Sequence, residues 1–252
     1  MDKTKEKKIF LTVFVIIFGL ELINFLPSLV FLFAGFLSLF FLFMLSRILE
    51  IRIEDRSLYP IIVLPLVLLI EASIVLNIVP PVPVKHVFII LFGFLLYLVV
   101  SSLYAVKSHI VSYSVIIFNI LTIAYLVSVL FAYVIINYFY LLFKLPVWFV
   151  MILSGIITFS FFLFHLWKNN VLSKESYIYN FLLTILMVEF FWIVSFLPLL
   201  ALSSGFILFL IYYIYSGLLT FSLKNSLDRK NLLSHAVIPS LVLLLFLLSS
   251  KW

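Results

Sequence analysis

The chain has 252 residues, of which 66% are hydrophobic and only 10% charged, and its mean hydropathy is +1.37. A soluble domain carries about a quarter charged residues, and no soluble fold of this length hides so much apolar surface, so the composition excludes a water-soluble protein. The net charge of +6 does not point to nucleic acid, because the basic residues sit between apolar runs and form neither a stripe nor a groove-reading motif.

In hydrocarbon every backbone N–H and C=O must be paired within the protein, so only helices or a closed barrel can span. Barrel strands alternate apolar and polar residues over about ten positions. The runs 87–106 and 147–166 are continuously apolar instead. The predicted fold is therefore all-α, a polytopic transmembrane helix bundle forming one membrane domain over residues 1–252.

Taken in chain order, residues 1–8 form a basic terminus carrying Lys3, Lys5, Lys7 and Lys8. The apolar run behind it meets Glu21, Asn24 and Pro27 rather than a small-residue cleavage site, so it reads as a retained anchor. A span needs about 20 mainly apolar residues. Nine segments qualify: 9–26, 29–46, 61–79, 87–106, 110–135, 147–166, 178–197, 204–222 and 233–250, with a tight first hairpin and a short ninth span. Residues 47–60 and 223–235 are the longer connections.

Lysine and arginine set the orientation, because positive loops stay in the cytoplasm. With the N-terminus inside, the inner connections hold 13 basic residues and the outer ones only Lys85, Lys144 and Lys251. The C-terminus is then outside, and both longer connections are cytoplasmic. Pro27, Pro80, Pro81, Pro83, Pro146 and Pro198 mark the outer turns, where a residue without an N–H ends helices. Pro65 and Pro239 fall within spans and are expected to kink them. Trp148 and Trp167 bracket the sixth span, 19 residues apart, which matches the separation of the two membrane interfaces at about 28 Å.

A carboxylate at mid-depth costs a few kcal/mol or more, so acidic residues inside spans are the candidates for chemistry. Glu21 lies 12 residues past Ile9, Glu71 10 past Ile61 and Glu189 11 past Ile178. Each is then about 15–18 Å deep. Asn119 lies nine past Ile110, at a similar depth, and Trp192 follows Glu189 on the same helical face. All fall in odd-numbered helices. This suggests repeated hairpins, with helices 1, 3, 5 and 7 around a shared polar interior and the even helices toward lipid, an arrangement transporters use. No Lys or Arg lies at this depth, so each carboxyl must be protonated, hydrated or bound to a cation. The alternative is a neutral glutamic acid hydrogen-bonded to a Ser, Tyr or carbonyl on a neighbouring helix.

Other chemistry is missing. His86, His109, His165 and His235 lie at predicted helix ends without partners at metal-ligand spacing, which points to interface anchoring and no metal site. No phosphate-cradling glycine loop or zinc-protease motif occurs. No cofactor is expected, and the absence of cysteine removes disulfide and thiol chemistry. Only six glycines are available for close helix packing.

The stretch Phe143-Lys-Leu-Pro-Val-Trp148, the block Glu189-Phe-Phe-Trp-Ile-Val-Ser-Phe-Leu-Pro-Leu-Leu200, the Tyr-rich eighth helix and the terminal Lys251-Trp252 resemble an uncharacterised family of multi-pass membrane proteins from ultrasmall bacteria of candidate phyla. The resemblance covers roughly the last two-thirds of the chain. It implies the membrane class and carries no activity. The expected function is a small proton- or cation-linked transporter in the cell membrane. Its partners would be the lipid bilayer and a membrane protein or a second copy. The alternatives are a structural or accessory subunit and an intramembrane enzyme acting on lipid, the second of which lacks a placed nucleophile and base.

Overall fold

The computed structural model describes residues 3–50, 59–79, 81–107, 115–224, 226 and 228–249. Among them there is no strand, and the fold is all-α as expected. The helices are α1 (Lys3–Phe25), α2 (Val30–Leu49), α3 (Tyr59–Ile78), α4 (Val82–Lys107), α5 (Val115–Phe143), α6 (Val147–Lys168), α7 (Lys174–Ser195), α8 (Ala201–Leu223), α9 (Arg229–Leu232) and α10 (Ile238–Ser249). A 3-10 turn, Pro27–Leu29, joins α1 to α2, and a π-helical segment, Leu233–Val237, joins α9 to α10.

Among the described residues seven helices, α1, α2 and α4 to α8, are long and apolar enough to cross a membrane. α3 has a shorter apolar part, Ile62–Ile78, and the last helical stretch has His235–Phe246. These shorter stretches coincide with the expected third and ninth spans. Large apolar side chains cover the outside of the helices, among them Phe10, Phe14, Phe18, Phe31, Phe36 and Phe94. A patch of that extent has no place in water and suits hydrocarbon.

The helix ends follow from local chemistry. A chain poor in glycine places Glu50, Lys144 and Asn170 in the left-handed conformation after α2, α5 and α6, at φ of 47°, 48° and 55°. Proline stops the helices where expected: Pro146 is the N-cap residue of α6, and Pro27 opens the 3-10 turn. α7 begins with a reciprocal cap, in which the Ser176 amide donates to Ser173 Oγ and the Ser173 amide to Ser176 Oγ. Pro65 is accommodated inside α3. Pro239 instead follows the π-helical segment; its ring crowds the carbonyl one turn back, and a widened turn relieves that contact.

By contact the chain divides into two compact units, residues 1–131 and 132–252, with the boundary inside α5. In the first unit α1 to α4 pack mutually, α1 against α4 and α2 against α3 most closely. α1 buries Ile9, Thr12, Val13, Ile16, Leu20 and Ile23, the spacing of one helical face. α2 and α4, expected to face lipid, each bury a face as well. The even helices are therefore structural partners of the odd ones. In the second unit α7 lies between α6 and α8, and the π segment and α10 pack on α8. Of the expected cytoplasmic connections, residues 47–49 continue α2, residues 51–58 lie outside the described residues, and the chain is helical again from Arg229.

Candidate functional site

The five candidate polar residues part company in the structure. Glu71 is the one that enters a core. It is 7% exposed, between the buried Leu68, Leu69, Ala72 and Val75 of α3, and Ser128 Oγ on α5 donates to its Oε2. Ser128 is fully buried. From the helix starts, Glu71 lies 12 residues past Tyr59 and Ser128 13 past Val115, so both are about 18–20 Å along their helices. Two residues past Glu71, Ser73 donates to the Leu69 carbonyl, and Asn77 Nδ2 donates to the Ser73 carbonyl at 3.2 Å. Ser73 and Asn77 thus occupy the opposite side of α3 from Glu71.

Asn119 does not join this pair. It is exposed on α5, and residues 110–114, where the fifth span was expected to begin, lie outside the described residues. The polar side chain that does sit at the level of Glu71 is Ser128. A lone serine in an apolar run usually bonds its own helix, which is why it drew no notice in the sequence.

Glu21 lies near the C-terminal end of α1. It is four residues from the end of α1, and its Oε1 lies 3.0 Å from His86 Nδ1, in the second turn of α4. Its Oε2 is buried without a partner. The expected interface histidine is therefore a specific link between α1 and α4. Such a link is an ion pair when the imidazole is protonated and a hydrogen bond otherwise.

Glu189 is exposed on α7, contrary to the inward position expected for it. α7 buries Ser176, Asn180, Leu183, Met187, Phe191 and Val194, and Glu189 is two residues from both Met187 and Phe191, on the opposite side of the helix. Trp192 shares its face as expected, but that face points outward: Trp192 is 50% exposed and stacks edge-on with Phe196 at 5.5 Å.

The buried polar groups of the second unit are different ones. Tyr133 and Thr158 hydroxyls lie 2.8 Å apart. Thr158 spends its hydrogen on the Ser154 carbonyl, so Tyr133 is the donor between them. Asn180, fully buried, donates to the Phe159 carbonyl at 3.1 Å across the α6–α7 contact. Asn180 sits one residue from a Tyr and near the start of the predicted span, where polar residues look interfacial, and nothing in the sequence set it apart.

Glycines mark the close approaches. A Cβ on Gly205 of α8 would lie 2.6 Å from the backbone of Val134 on α5, and one on Gly93 of α4 would lie 2.5 Å from the Ile17 side chain on α1. Five of the six glycines sit at such contacts, and Gly35 faces open space. No group of three or more His, Cys, Asp and Glu able to hold a metal occurs among the described residues. Comparison with protein-family models, curated proteins and solved structures found no match.

Proposed function

We propose that the chain is a small proton-linked transporter of the cell membrane, with Glu71 as the proton-carrying group. The supporting observation is the Glu71–Ser128 pair: a carboxyl inside a helical core, at mid-length, held by one hydroxyl. Ionisable groups in that setting serve proton and ion pathways in membrane proteins. Replacing Glu71 by Gln keeps the hydrogen-bonding shape and removes the titrating proton. In proteoliposomes the Glu71→Gln protein should assemble normally and lose pH-gradient-driven uptake; full uptake would refute the reading. The N-terminus is cytoplasmic in this reading, so a single cysteine at Lys85 should label from outside the cell, and labelling only from the cytoplasm would reverse the topology.

A second reading, an accessory subunit, is favoured by Glu189. A carboxyl on an outward apolar face, with Trp192 and Phe196 beside it, suits contact with a polar group on another membrane helix. Loss of a co-purifying partner in Glu189→Leu, with the folded protein intact, would support that reading.

A further inference from the structure

Between α1 and α4, in the first unit, runs an open cleft of about 440 Å³, lined by Phe10, Val13, Phe14 and Ile17 from one helix and Ile90, Gly93, Phe94 and Tyr97 from the other. Gly93 creates it: without a side chain there, α1 closes on α4 through Ile17, while Phe10, Phe14, Ile90 and Phe94 stand out on either side as walls, each 58–66% exposed. The floor is apolar throughout, and the volume lies within the range of clefts that hold small molecules.

The two ends differ. Residues 7, 10, 14 and 17 share one face of α1, at the i, i+3, i+7 spacing of a helix, so the wall of the cleft continues directly into Lys7. Lys7 is exposed and has no acidic partner among the described residues. Lys8 and Lys107 lie at this same end, where both act on Glu50. Glu6 is adjacent in sequence but 100° away around the helix. On α4 the same face continues from Tyr97 to Ser101, whose hydroxyl is buried without a hydrogen-bond partner. Other hydroxyls of the first unit, Thr12, Ser38 and Ser73, bond a carbonyl of their own helix. The opposite end of the cleft, at Ile17 and Ile90, leads one turn on to the Glu21–His86 pair, where the acidic partner disfavours a phosphate.

We infer that the α1–α4 cleft is a binding site for an anionic phospholipid, with one acyl chain lying along Gly93 between the aromatic walls and the headgroup phosphate at Lys7. An apolar slot that opens at one end onto a lysine without an acidic partner among the described residues matches the charge order of an anionic lipid: chain first, phosphate last. A transmembrane helix of another protein would fill the slot equally well but would leave Lys7 facing nothing. This inference does not depend on the transport reading, because neither Glu71 nor Ser128 takes part.

The test uses the full chain in mild detergent, titrated with phosphatidylglycerol or phosphatidylcholine of identical chains and read by native mass spectrometry. Phosphatidylglycerol should be retained about fivefold better, the contribution of one lysine near a phosphate. Lys7→Glu, on an exposed side chain, should abolish that preference while leaving chain binding. Ile90→Trp, which narrows the open side of the cleft, should reduce retention of both lipids. Equal retention of the two lipids by the wild-type protein, a preference unchanged in Lys7→Glu, or a protein helix rather than lipid crosslinking to position 94 would overturn the inference.

Discussion

Glu21 Oε1 on α1 and His86 Nδ1 on α4 lie 3.0 Å apart, although 65 residues separate them in sequence. The pair fastens the last turn of α1 to the first turns of α4, at the end of the unit opposite Lys7. Its side chains are partly exposed, 27% for Glu21 and 43% for His86, so the interaction is screened. Exposed pairs of this kind contribute about 0.2–1 kcal/mol. A double-mutant cycle with Glu21→Gln and His86→Gln, followed by thermal unfolding in detergent, should give a coupling in that range. Additive single effects would mean that the two side chains do not interact.

At mid-depth the balance is different. Ser128→Ala removes the hydroxyl that Glu71 accepts from, and no solvent replaces it. Hydrogen bonds between membrane helices average about 0.6 kcal/mol and reach about 1.7; a fully buried donor to a carboxyl belongs at the upper end. Glu71→Leu should cost less, because a serine left alone can turn to the carbonyl four residues back on its own helix. The predicted order of unfolding midpoints is therefore wild type, Glu71→Leu, Ser128→Ala. A Ser128→Ala protein as stable as the wild type would show that the pair contributes nothing to holding α3 against α5.

The sequence was informative where a single physical constraint dominates. Hydrocarbon demands helices, and the all-α fold with its apolar exterior followed from that demand alone. Proline positions marked the turns at Pro27, Pro146 and Pro198, since the missing N–H acts locally. Glu71 was legible as a carboxyl in mid-helix, whereas Asn119, expected to face the same interior, is exposed. Which way a residue faces was the least legible. Glu189 and Glu71 are each embedded in apolar sequence, and only the packing of α7 through Asn180, Met187 and Phe191 decides that Glu189 points outward. Hydrophobic patterning gives little help here, because lipid and core are both apolar and the usual amphipathic contrast disappears.

Two glycine substitutions should separate contact from propensity. At Gly205 the new methyl group meets the main chain of Val134, at 2.6 Å from both N and Cα, and backbone cannot rotate aside. Gly205→Ala should therefore destabilise by about 1–3 kcal/mol, the cost of overpacking. At Gly35 nothing lies within 4 Å of the added carbon. Gly35→Ala should be neutral or stabilising by up to about 1 kcal/mol, through helix propensity. Denaturation midpoints of the two variants should move in opposite directions or differ by at least the overpacking cost. Equal shifts would mean that α5 and α8 do not meet at Gly205.

Glu50 supplies the pH-dependent contact that can be read from the ends of the helices. It terminates α2 in the left-handed conformation and pairs with Lys5 of α1. The Lys5 hydrogen bond and charge, with Lys8 and Lys107 behind them, hold its carboxyl below the ordinary value of 4.5. A carboxyl lowered in this way stabilises the folded arrangement at pH values above the ordinary range. That contribution fades as pH falls from about 4.5 through the lower folded value. The side chain is exposed, so salt weakens the pair as well. Spin labels on cysteines introduced at Glu6 and Arg47 should report one narrow α1–α2 distance at neutral pH and a broader one once acid has protonated Glu50. In Glu50→Gln the distance should be broad at neutral pH already and indifferent to acid. A distribution that stays narrow in the variant would assign the tether to the apolar packing of α1 on α2 instead.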